Sequence, residues 1–147
     1  MYKLYEVILS CDARIVMASA NEGDAIRFAA LKLAKHAELF GNKKRAKNIL
    51  ASTPKELFEV YQGTPFAFSG NKIVTGTHCL FLVTPSMGGD IVIASDTMVN
   101  ALLGYKKALC EYCDAVGDTH KSLWVANSIP MCISLVYGGT LFDVASE

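Results

Sequence analysis

Three histidines, five cysteines and one dense run of cations are the residues of this 147-residue chain whose chemistry could carry a function. His78-Cys79-Leu80-Phe81 and His120-Lys121-Ser122-Leu123 set two imidazoles in front of apolar strand-like segments. Paired histidines of this kind can act as general acid and base on a phosphodiester. The third, His36, stands inside a helical pattern between Lys35 and Ala37 and reads as a surface or half-buried residue.

His120-Lys121-Ser122-Leu123 resembles the H-x-S-hydrophobic element of two-histidine phosphoesterases. The resemblance covers only these residues, and at His78 the hydroxyl two places on is replaced by Leu80. The candidate catalytic set is therefore His78, His120 and Ser122. No Ser lies in G-x-S-x-G, no carboxylates pair at helical spacing, and no GxGxxG or Walker A pattern occurs.

Cys110-Glu111-Tyr112-Cys113 has C-x-x-C spacing but closes a helix rather than opening one, where a helix dipole would activate a thiol. The odd count of Cys11, Cys79, Cys110, Cys113 and Cys132 argues against a disulfide framework, and buried structural thiols in a reducing compartment are expected. Asp114, Asp118 and His120 cluster around a loop at Gly117, which turn chemistry explains without a cation. No metal and no cofactor is expected.

Formal net charge is zero, but its distribution is uneven. From Arg27 to Lys55 there are eight basic residues and one acid, Glu38, whereas from Asp90 to Glu147 seven acids face three lysines. The densest part is Lys43, Lys44, Arg45 and Lys47, the expected ligand or partner contact. Such a patch draws phosphates or an acidic protein by long-range attraction. A pI of 6.8 and the lack of aromatic residues within the run weigh against nucleic acid without excluding it.

The elements that must position these groups follow from periodicity. Leu4 to Ser10 and Arg14 to Ala18 read as a hairpin around Cys11-Asp12-Ala13, and Ser19-Ala20-Asn21-Glu22 opens a helix with stripe Ile26, Ala29, Leu33, Ala37 and Phe40, ending at Gly41-Asn42. Thr53-Pro54-Lys55-Glu56 carries the signals of a second, shorter helix. Thr64 to Phe68 and Lys72 to Thr75 read as a second hairpin, followed by the apolar run His78 to Thr84. A turn at Pro85 to Asp90 leads to a further strand. Asp96 then caps a helix with stripe Met98, Leu102, Tyr105, Leu109 and Tyr112, ending near Gly117. Leu123 to Ala126, Met131 to Tyr137 and Leu141 to Val144 read as three closing strands.

Ile15-Val16-Met17-Ala18-Ser19 recurs as Ile91-Val92-Ile93-Ala94-Ser95, 76 residues on, each copy placed between an apolar run and a helix start. The expected fold is one α+β domain over residues 1–147, a two-layer antiparallel or mixed sheet backed by helices, with a strand-strand-helix duplication. At 52% hydrophobic residues and a mean hydropathy of +0.29, the chain can bury a sizeable core and has apolar surface to spare for self-association or a protein partner. No run suits a membrane span, and Glu6 falls where a signal peptide would stay apolar, so a cytoplasmic protein is expected.

These readings favour a small non-enzymatic binding protein, a homo-oligomer of the style of phage or bacterial accessory factors that sequester a host component. The alternatives are a nucleotide-directed protein, holding a phosphorylated ligand at Lys43 to Lys47 or cleaving a phosphodiester with His78 and His120, and a structural subunit of a larger assembly.

Overall fold

The structure, a computed structural model, describes residues 2–69, 78–137 and 140–146. In chain order the first elements are β1 (Lys3–Leu9), β2 (Arg14–Ser19), α1 (Glu22–Leu39), α2 (Lys43–Ala51), β3 (Pro54–Val60) and β4 (Phe66–Phe68). They continue with β5 (Cys79–Pro85), β6 (Ile91–Ser95), α3 (Met98–Ala115), α4 (Thr119–Ala126), β7 (Pro130–Val136) and β8 (Leu141–Val144). The fold is α+β, with two mixed four-stranded sheets, each backed by a helix pair. The chain divides into two compact units, each containing one sheet.

In the first unit the strand order is β3-β1-β2-β8: β1 pairs antiparallel with β2 and β3, and β8 joins β2 in parallel. Val7, Leu9, Ile15 and Met17 form its core with Ala25, Phe28, Ala29 and Leu33 of α1 and Ile49 of α2. The second unit has order β4-β6-β5-β7, with β5 antiparallel to β6 and β7, and β4 parallel to β6. Phe81, Val83, Ile91 and Ile93 pack there against Ala101, Tyr105, Leu109 and Val125.

The registers correspond at the 76-residue spacing. Phe142 lies opposite Val16 and Phe66 opposite Val92, and a shift in pairing precedes both Leu9 opposite Pro54 and Pro85 opposite Pro130. Both long helices start from the same device. A buried serine, Ser19 or Ser95, donates its hydroxyl to the carbonyl of the cap residue, Asn21 or Thr97, whose side chain accepts the backbone N–H three residues on. The fourth strand of each sheet comes from the segment that follows the other sheet's third strand: β4 follows β3, and β8 follows β7.

Several local expectations are corrected. Thr53-Pro54-Lys55-Glu56 opens β3, not a helix. Thr53 N–H donates to Ser10 Oγ, and its carbonyl accepts the Ser10 N–H at 2.7 Å, so pairing with the first hairpin takes the groups a cap would use. Pro54 occupies the first strand position, where its missing donor costs least. Leu123 to Ala126 belongs to α4, which Asp118 caps by accepting Lys121 N–H, so a four-residue apolar run was the wrong period to read as a strand. The basic run opens α2 under an Asn42 cap.

Thr97 rather than Asp96 caps α3, while Asp96 accepts from the Asn100 amide at 2.8 Å. That bond holds the Asp96 carboxyl below its ordinary range. Both helical stripes hold at their centres, where Ala29, Leu33 and Ala37 of α1 and Tyr105 and Leu109 of α3 are buried, and depart from expectation at their ends. Ala25 and Ala101 face the sheet because small residues let the helix approach closely, and Ile26, Phe40 and Met98 are exposed. Of the second expected hairpin, β4 forms and joins β6; its other strand, Lys72 to Thr75, lies outside the described residues.

Candidate functional site

His78 and His120 both belong to the second unit, at opposite ends of it. Half-buried His78 precedes β5 at the edge where Cys79 pairs with Ser95, next to the start of α3. His120 is exposed in the first turn of α4, beyond the far end of α3. The 18 residues of α3 span about 27 Å between these ends, too far for two side chains to share one phosphate. Ser122, half-buried, is on α4, where its carbonyl accepts from the Cys110 thiol.

The cysteines divide. Cys113 is buried, Cys110 is half-buried, and Cys11, Cys79 and Cys132 are exposed, which corrects the expectation of uniformly buried thiols. Burial pushes the Cys113 thiol up, with only partial relief from Lys121, the reverse of what a redox C-x-x-C needs. Asp118 serves as the α4 cap. No group of three His, Cys, Asp or Glu side chains converges to hold a metal among the described residues.

The basic residues do assemble a surface. Lys43, Lys44, Arg45 and Lys47 are all exposed in the first turn and a half of α2, while Ala46 and Ile49 anchor the helix in the core. Asn42 accepts from Arg45 N–H at 3.0 Å and fixes the helix start, and no acid stands in that turn. Positive side chains crowd a helix end that is already electropositive, an arrangement costly to the isolated helix and favourable to an approaching anion. Beside them is an open depression of about 310 Å³ lined by Cys11, Asn42, Lys44, Arg45, Asn48 and Ile49.

Two features were not read from the sequence. The first is an interior ion pair: Lys32 of α1 lies 3.7 Å from Asp143 of β8, both largely removed from solvent. One turn along α1, burial lowers the His36 imidazole below its ordinary value while Asp143 raises it in part. Partners 111 positions apart leave no local signal. The second is an apolar stretch from the end of α4 through β7, where Leu123, Trp124, Ile129, Met131 and Leu135 are each at least half exposed. The first unit has Lys47, Asn48, Thr53, Lys55 and Glu59 at the positions 76 residues earlier. Comparing the two segments side by side would have exposed that contrast.

Comparison with protein-family models, curated proteins and solved structures finds no match to the chain. Among the described residues no helix is long and apolar enough to cross a membrane.

Proposed function

We propose that the protein is a small non-enzymatic binding protein that seats an acidic protein surface on α2 and acts by occupancy rather than turnover. The supporting observation is the exposed set Lys43, Lys44, Arg45 and Lys47 at a capped helix start with no acid in its first turn. Exposed cations of this density contribute mainly to association rate and orientation. The segment Lys43–Ala51 has no aromatic side chain on which bases could stack, which favours protein over single-stranded nucleic acid.

A second reading has support in the neighbouring depression: with two amides and two cations on its wall, it suits a phosphorylated small ligand. A phosphodiesterase built on His78 and His120 lacks that support, since α3 separates them.

Calorimetric titration of the full chain with poly-glutamate, and separately with tripolyphosphate, tests both readings. Replacing Lys43, Lys44, Arg45 and Lys47 with Ser is expected to weaken poly-glutamate binding about tenfold, the sum of four exposed charge contacts of a few tenths of a kcal/mol each. The loss shrinks as salt is added, and thermal stability is nearly unaltered. Equal binding by wild type and variant at low salt overturns the α2 surface. Tripolyphosphate bound in place of poly-glutamate transfers the function to the depression.

A further inference from the structure

We infer that β7 is a self-pairing edge and that its natural occupant is a second copy of this chain, joined antiparallel across a twofold axis. Among the described residues β7 is the last strand of its sheet, and none of them forms a strand along its outer row of backbone donors and acceptors. Pro-Met-Cys-Ile-Ser-Leu-Val contains no charge. The matching edge, β3, holds Lys55, Glu56 and Glu59, of which Lys55 pairs with Asp12 and Glu59 with Lys3. Charges on an edge strand are a recurrent means of preventing pairing; β3 has them and β7 does not.

The face beside that edge is apolar as well. Met131 and Leu135 share the side of the strand on which Ile133 packs into the core, yet they are 65% and 50% exposed. Trp124 and Ile129, just before the strand in sequence, are 57% and 60% exposed. Trp124 is the kind of side chain on which interface energy concentrates.

A second copy is the occupant these features favour. An uncharged strand meets its own twofold image without like-charge repulsion, and antiparallel pairing places each strand's Met131 end against the other's Leu135 end. With Leu123, the exposed apolar side chains offer on the order of 600 Å² per copy, so a pair buries roughly 1,200 Å². That reaches the lower bound for a stable specific interface before the ladder hydrogen bonds are added. The surface shares no residue with α2, so failure here leaves the anion-binding proposal standing.

The test is sedimentation velocity on the full chain over a wide concentration range, in reductant so that exposed Cys11, Cys79 and Cys132 cannot cross-link. The wild-type mass is expected to rise with concentration from 15.9 kDa towards twice that value. Met131→Lys with Leu135→Glu gives β7 the residues that β3 has at the corresponding positions, Lys55 and Glu59, and is expected to stay at the single-chain mass with a circular dichroism melt close to wild type. Hydrogen exchange on the wild type supplies a readout that does not depend on the variant folding: β7 amides gain protection with concentration and β3 amides do not. A wild type that remains monomeric at every concentration, a double variant that doubles in mass as readily, or a concentration effect on exchange that leaves β7 unprotected overturns the inference.

Discussion

Gly88 lies in the turn between β5 and β6 with φ +99°, and a Cβ built there falls 2.2 Å from Val125 Cγ2, 3.5 Å from Val125 Cβ and 3.8 Å from Leu109 Cδ2. Val125 is the fully buried residue of α4, and a β-branched side chain in a helix has one strongly preferred rotamer, so it cannot swing aside. Gly88→Ala therefore incurs two costs. The left-handed backbone contributes roughly 1 kcal/mol, and displacing a packed side chain contributes about 1 to 3 kcal/mol, for about 2 to 4 kcal/mol in all. Urea unfolding followed by fluorescence of the single tryptophan, Trp124, reads this directly, because that residue is on α4 beside Val125. The diagnostic step is the double variant. Val125→Ala alone loses about 1.5 to 3 kcal/mol of apolar burial but vacates the space, so Gly88→Ala in that background should cost only the backbone share. Additivity to within about 0.5 kcal/mol would show that Val125 does not meet the turn, and that the turn does not hold α4 in place.

Leu109→Ala is expected to lower stability by about 2 to 5 kcal/mol because the side chain is buried in the second core, whereas Leu102→Ala, one step off the observed stripe and half-buried, should cost clearly less; equal losses in urea unfolding would place the stripe elsewhere. Burial lowers the His36 imidazole from its ordinary value of 6.5, so as pH falls the unfolded chain takes up the proton first and stability declines from near pH 6.5 down through the native value. His36→Gln should flatten that decline, and an unchanged acid slope in thermal melts would refute a role for the imidazole.

Much of the frame was legible because it is built from short-range chemistry. The first hairpin follows from two β-rich runs around Asp12, which takes φ +65° in the turn, and the first long helix from Asn21 with Glu22 and Asp24 in its first turn. Reading failed where a distant partner decides. The cap signal at Thr53 is genuine locally, but Ser10, 43 residues away, claims the same backbone groups. The exchange of β4 and β8 between sheets has no local signature, since a strand of three or four residues meets its partner only across the fold. Of the candidate site, the exposed cations of α2 could be read from composition. The distance between His78 and His120 could not, because it depends on the direction in which α3 runs.

The two units differ least where the frame is fixed and most where the surface faces outward. Ser19 and Ser95, Pro54 and Pro130, and Tyr61 and Tyr137, the last pair sharing φ +53°, do the same local work at the same spacing. In the interior, Lys32 and Asp143 of the first unit correspond in position to Ala108 and Ala67 of the second, so an ion pair in one place is replaced by small apolar residues in the other. A buried pair of this kind contributes little net stability over an apolar replacement but fixes which strand may dock, because an unpaired charge left inside is costly. On the outside, cations and amides in the first unit give way to Leu, Trp, Ile and Met in the second. Burial cannot account for that contrast, since, half-buried Glu59 apart, both sets are exposed. Stability alone would favour polar residues at both surfaces. The apolar set is thus the part of the sequence least explained by folding, and the part for which an interaction is the simplest physical cause.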